Sequence, residues 1–171
     1  MSYQIRLATA YDIDQIYEIE KLCFNIRERF DKNFFYLFLI RRNFEIFFVA
    51  TKENEENKEK VIGFVVAFLN KIGNFEIATL NVHPEFRRYG IGYNLMLELE
   101  NAIKVIIPEL QNAKLLDKDS SSIIIELTVH DKNNAAIALY EKMKYERIEI
   151  RTNYYHESKN GIRMIKSLSL K

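Results

Sequence analysis

One cysteine, Cys23, in 171 residues leaves no partner for an internal disulfide, so a disulfide framework is excluded and a reducing cytoplasm fits. No apolar run approaches a membrane span: the longest, 61–69, falls far short of about 20 residues. The opening stretch MSYQIRLATAYD has no apolar signal core. Neither sign of charge prevails. The 25 basic and 24 acidic residues leave a net charge of +1, which gives no global case for nucleic acid or an anionic membrane; Arg87 and Arg88 form the local basic candidate. No His/Cys/Asp cluster has metal-ligand spacing. These absences predict a cytoplasmic protein with no metal, no nucleic-acid partner and no membrane partner.

The length fits one domain, 1–171, which buries about two-thirds of its unfolded surface. An apolar fraction of 48% with 29% charged residues is ordinary for a globular chain. YQIRLAT (3–9) alternates and predicts a strand. The next stretch carries Ile13, Ile16, Ile19, Leu22 and Cys23 at helical spacing, with Thr9 or Asp12 as cap and Cys23 as core packing. KNFFYLFLIRR (32–42) predicts a second helix and EIFFVATKE (45–53) a strand. KENEENKEK (52–60) buries nothing and predicts a hairpin tip or loop. Strands are predicted at 61–72 and 75–83, around a Gly73-Asn74 turn. A helix from Gly90 ends near Pro108, its stripe being Ile91, Leu95, Leu99, Ala102, Ile103 and Ile106. A strand at 123–130, a helix at 133–143 and strands at 145–155 and 161–170 complete the chain. The order β-α-α-β-β-β-α-β-α-β-β predicts an α/β (α+β) mixed sheet with helices on both faces.

HPEFRRYGIGYNL (83–95) gathers two of the five glycines, one of the two prolines and both adjacent arginines between a strand and a helix. The first N–H groups of a helix have no partner inside it, and with the helix dipole they suit a phosphate. Gly90 and Gly92 let a pyrophosphate approach, and Arg87 and Arg88 add donors. There is no Gly-Lys-Ser/Thr, and position 95 is Leu where a dinucleotide fingerprint needs glycine. The turn alone leaves packing and phosphate binding open.

Arg87-x-x-Gly90-x-Gly92 has the spacing of the GNAT superfamily of acyl-CoA N-acyltransferases, which the whole chain resembles. Within it, LNVHPEFRRYGIG, LTVHDKNNAAIALYEKMKY and TNYY resemble the N-terminal (Nα) protein acetyltransferases. These include the bacterial ribosomal-protein alanine acetyltransferases and catalytic subunits of the NatA, NatE and NatF type. The resemblance implies a GNAT fold: about seven strands, splayed between strands 4 and 5, with about four helices. Acetyl-CoA would lie in the opening, its pantetheine on Leu80, Asn81 and Val82 and its pyrophosphate on the N–H groups of Arg88, Tyr89, Gly90, Ile91, Gly92 and Tyr93. Asn133 would contact the cofactor, and Tyr140 would point its hydroxyl at the thioester sulfur.

The implied reaction moves acetyl to the α-amine of a protein or peptide by direct attack. A peptide α-amine, with a pKa of about 8, needs only a modest base. Relatives often place that base, Glu or His, where this chain has Thr128. Glu76 is favoured instead, directly or through water, with Glu126 and His130 as further candidates. A backbone N–H near Val82 would take the oxyanion. Glu28, in FNIRERF (24–30), and the pair Tyr154 and Tyr155 would bind the peptide. Lys144, where relatives often have Gly, predicts a differently shaped helix end. The alternatives are a lysine or small-amine acceptor, or an acyl-CoA-binding module without catalysis. A monomer and a ribosome-associated state are both open.

Overall fold

The structure, a computed structural model, describes residues 1–40, 44–53, 58–156 and 158–169. The elements follow the predicted order: β1 (Gln4–Leu7), α1 (Ile13–Cys23), α2 (Lys32–Ile40), β2 (Ile46–Glu53), β3 (Glu59–Leu69), β4 (Phe75–Val82), α3 (Ile91–Asn112), β5 (Ser122–His130), α4 (Asn134–Lys142), β6 (Glu146–His156) and β7 (Lys159–Ser169). Short 3-10 turns precede α1 at Ala10–Asp12 and follow β4 at Pro84–Phe86. The strands form one mixed sheet in the order β1-β2-β3-β4-β5-β7-β6. Parts of three predicted elements lie outside the described residues: 41–42 of the second helix, 54–57 of the polar tip and 170 of the last strand.

The chain divides into two compact units, residues 1–68 with 78–102, and residues 69–77 with 103–171. In the first, Ile13, Ile16 and Ile19 of α1 and Phe35 of α2 bury against Phe47 and Val49 of β2 and Val61, Phe64 and Val66 of β3. Phe35 meets Phe64 edge-on at 5.6 Å, a geometry that adds about 1 kcal/mol to its area burial. The entrance to α1 is fixed by Asp12, whose carboxylate accepts the Thr9 N–H at 2.7 Å and two Arg6 bonds at 2.8 Å. Both predicted cap residues therefore take part. Leu22, predicted on the buried stripe, is 56% exposed, and Glu20 is buried in its stead. Helical geometry explains the exchange, since Glu20 stands four residues after Ile16 and seven after Ile13. Gly63 on β3 lets the start of α3 come close: an added Cβ would lie 3.0 Å from the Asn81 carbonyl oxygen and 3.2 Å from Ile91.

In the second unit, the first half of β4 pairs in parallel with β5 through Phe75↔Ile125, Glu76↔Glu126 and Ile77↔Leu127. Beyond that ladder β4 runs on to Val82 and β5 to His130. β7 pairs antiparallel with β5 and with β6. α3 does not end at Pro108 as predicted; it continues to Asn112. Proline there removes the bond to the Lys104 carbonyl, but Ile107 and Leu110 are buried on either side of it, and the Leu115 N–H closes the end on the Leu110 carbonyl. The end of α4 is also not shaped differently. Lys144 takes the left-handed conformation (φ 71°), with the Tyr145 N–H on the Tyr140 carbonyl and its own N–H on Glu141. This is the closing motif in which glycine is usual, so lysine bears about 1 kcal/mol of strain there.

Candidate active site

β4 alternates strictly: Phe75, Ile77, Thr79 and Asn81 are buried, while Glu76, Ala78, Leu80 and Val82 face the other way and are half-buried. In the first unit the strand is followed by two left-handed residues, Arg88 (φ 70°) and Gly90 (φ 79°). An added Cβ at Gly90 would meet nothing within 4 Å, so the positive φ, not crowding, calls for glycine. The Gly90 carbonyl accepts the Asn94 N–H at 3.0 Å, which places the N–H groups of Ile91 and Gly92 ahead of the first helical bond. Arg88, Tyr89 and Gly90 are exposed, Tyr93 half-buried and Ile91 buried. Unpartnered N–H groups at a helix start are the feature that suits an anion. Arg87 does more than add charge. Its Nε donates to the Val82 carbonyl at 3.2 Å and its Nη2 to Cys23 Sγ at 3.3 Å. Cys23 is half-buried: it packs against the core of the first unit, as predicted, and also touches the end of β4 and Arg87. Burial holds its thiol above the usual value, with Arg87 pulling the other way.

The loop between α1 and α2 is shaped by Asn25, whose carbonyl accepts the Glu28 and Arg29 N–H groups and whose side chain accepts the Arg27 N–H. Glu28 is half-buried and accepts from the Asn25 amide. Where the loop ends, the Phe30 N–H donates to Glu20 at 3.0 Å.

In the second unit, Glu76 and Glu126 are direct neighbours across the parallel ladder. Glu126 is fully engaged: Arg163 donates to it through Nε and Nη2, both at 2.8 Å, and Asn70 at 2.7 Å. Burial pushes its carboxyl up, but Arg163 and the amides of Asn74 and Asn70 outweigh burial and leave it below the usual range. Glu76 stands above its usual value, first through burial and then through the neighbouring Glu126 charge, with Arg151 and Arg163 opposing. Of the two predicted carboxylates, Glu76 is the stronger base. Thr128 accepts the Arg151 Nη1 at 3.1 Å on its hydroxyl and the Tyr155 hydroxyl at 2.8 Å on its carbonyl. Tyr155 also stacks on His130 at 5.5 Å and meets Tyr154 edge-on at 4.9 Å. Tyr154 is half exposed, with the Arg151 guanidinium over its ring. His130 Nδ1 accepts the Lys132 N–H at 3.0 Å.

Asn133 caps α4, its side-chain oxygen accepting the Ala136 N–H at 3.2 Å. One turn from the helix end, Tyr140 is buried, and burial pushes its phenol well above the usual value. A phenol so placed stays protonated and serves as a donor rather than a base. Glu76, Glu126, Thr128, His130, Asn133, Tyr140, Tyr154 and Tyr155 thus lie in the second unit; the strand end, the glycine turn and Glu28 lie in the first. Sequence reasoning missed Glu20, Arg151 and Arg163. Only Glu20 left a signal, a carboxylate on an apolar helical stripe. The arginines reach Thr128 and Glu126 through sheet register, which sequence spacing does not show. Among the described residues no group of His, Cys, Asp and Glu is placed to hold a metal ion, and no helix is long and apolar enough to cross a membrane.

The model of the acetyltransferase (GNAT) family matches residues 13–145. The chain is 29% identical to an N-alpha-acetyltransferase of Sulfolobus acidocaldarius, over 96% of this chain and 92% of that protein. Among solved structures it is similar to Ard1 from Thermoplasma volcanium, with 23% identity, a TM-score of 0.73 and coverage of 98% of this chain and 99% of that one. It is also similar to Arabidopsis thaliana NAA60 in complex with acetyl-CoA, with 18% identity, a TM-score of 0.76 and coverage of 98% and 99%.

Proposed function

The chain belongs to the acetyltransferase (GNAT) family, and on that premise we propose that it transfers acetyl from acetyl-CoA to the α-amino group of a protein or peptide N-terminus, in the cytoplasm, as one domain over residues 1–171. The observation that carries this reading is its likeness, over nearly the whole of both chains, to a protein named N-alpha-acetyltransferase. The glycine turn supports acetyl-CoA as donor: the N–H groups of residues 88–93 hold the pyrophosphate, Arg87 and Arg88 add charge, and Leu80, Asn81 and Val82 offer backbone to the pantetheine.

The chemistry asks for a base, an acid and a place for the oxyanion. Glu76 takes the amine proton, directly or through water, because its carboxyl is more basic than an ordinary one. Glu126, held ionised by Arg163, is the fixed negative charge that helps to keep it so. Tyr140, held protonated by burial, donates to the leaving thiolate, and Asn133 approaches the donor from the start of α4. A backbone N–H near Val82 takes the oxyanion. Glu28, Tyr154 and Tyr155 contact the acceptor peptide; the Tyr155 hydroxyl, already donating to Thr128, meets it as an acceptor.

Steady-state rates with acetyl-CoA and peptides varied at their first two residues, beside lysine-only peptides and polyamines, test this. Free α-amine peptides are expected to be the best acceptors by at least tenfold in kcat/KM, about 1.4 kcal/mol. Equal or better rates with lysine side chains or small amines would overturn the acceptor class.

A further inference from the structure

Glu20 is fully buried, yet the proposed chemistry makes no use of it. Its Oε1 accepts the Phe30 N–H at 3.0 Å and its Oε2 the Asn81 Nδ2 at 2.6 Å. The same Asn81 amide also donates to Thr79 Oγ1 at 3.0 Å. One side chain of α1 therefore joins the end of the 24–30 loop to the buried face of β4. The arrangement suits a carboxylate, with two oxygens facing two N–H donors. A proton on the carboxyl would turn one acceptor into a donor, and one bond would have to yield or the Asn81 amide turn over.

We propose that Glu20 is a positioning residue for the acceptor: it fastens the loop carrying Glu28 to β4, so that acceptor binding weakens when this clamp is lost. The inference rests on the assignment of that loop to the acceptor under the proposed function. The charged group facing the carboxyl from the loop is Arg29; its own helix presents the titratable but neutral Cys23 thiol, and β4 presents neutral Asn81 and Thr79. Burial pushes the Glu20 carboxyl up to about 7, against the Phe30 N–H, Asn81 and Arg29. The clamp therefore closes as pH rises through neutrality.

The test is Glu20→Gln, with folding judged by its melting temperature, in acetylation of a peptide N-terminus. At about pH 8 the acceptor KM is expected to rise about tenfold, the scale of one hydrogen bond, while kcat and the acetyl-CoA KM stay within about twofold. At about pH 6 the wild-type advantage should shrink toward nothing; the acceptor's own titration cancels in this ratio. A ratio of one at every pH, or a loss confined to kcat, would overturn the proposal. The Phe30 amide shift, followed by NMR in the wild-type protein, needs no acceptor and no variant. It is expected to titrate with a midpoint near 7, and a flat response from about pH 5 to about pH 9 would remove the clamp. If the amide titrates but no peptide N-terminus is acetylated, the clamp stands and the proposed function fails.

Discussion

Glu20 in the first unit and Glu126 in the second are both withdrawn from water, at 0% and 7% exposure, and end in opposite states. Glu20 has neutral donors, the Phe30 N–H and the Asn81 amide, and burial prevails; its carboxyl rises to about 7. Glu126 has a two-pronged Arg163 as well as two amides, and its carboxyl falls below the usual range. Burial alone does not decide the charge of a carboxylate; a guanidinium at 2.8 Å does. Glu76, beside the fixed charge of Glu126, takes a third state, raised by burial and by that neighbour. The three states suit three roles, with Glu20 a switchable clamp, Glu126 a fixed charge and Glu76 a base.

The largest effect should come from removing the base. Glu76→Gln is expected to lower kcat about 100-fold or more and to flatten the alkaline-rising limb of the pH–rate profile. An untouched limb would move the base elsewhere. Next, Arg163→Met would leave Glu126 with neutral donors only, as Glu20 is now. A loss of about 3 kcal/mol in urea unfolding is expected, because one partner of a buried pair is stranded. The activity limb should also move to higher pH, since Arg163 holds Glu76 down. A variant of unchanged stability would show that Arg163 does not set the state of Glu126.

Glu20 supplies the opposite sign. Its folded-state carboxyl is raised, so its contribution to stability is complete below the unfolded value near 4.5 and is lost as pH rises through about 7. Relative to Glu20→Gln, the wild-type protein is expected to lose roughly 2–3 kcal/mol between about pH 5 and about pH 8, read from urea midpoints. Parallel curves for the two proteins would contradict this. The smallest effect concerns backbone, not charge. The left-handed residue that opens α3 is Gly90, but the one that closes α4 is Lys144, and Lys144→Gly should gain up to about 1 kcal/mol in the same assay. No gain would mean that the lysine side chain offsets its strain.

The fold is largely legible in the sequence because its periods are clean. Alternation marks β1, and the Ile91–Leu95–Leu99 stripe marks α3. The errors fall where tertiary burial overrides a local rule. Pro108 is carried inside α3 between buried Ile107 and Leu110, and Lys144 adopts a glycine conformation to close α4. The glycine turn is legible since its residues are contiguous. The electrostatic site is legible only in part. Glu76 and Glu126 show in the sequence, but Arg163 reaches Glu126 from β7 and Arg151 reaches Thr128 from β6, pairings set by strand register. Cys23 packs on the core as its helical position predicts, but the arginine that touches it comes from beyond β4 in sequence and does not show in the spacing.

The central claim is that the accepting group is an α-amine. A single peptide carrying both a free N-terminus and an internal lysine, incubated with the protein and acetyl-CoA and sequenced by tandem mass spectrometry, tests it most directly. Acetyl on the first residue and none on the lysine is the predicted result; acetyl on the lysine, or none on the peptide, would contradict it.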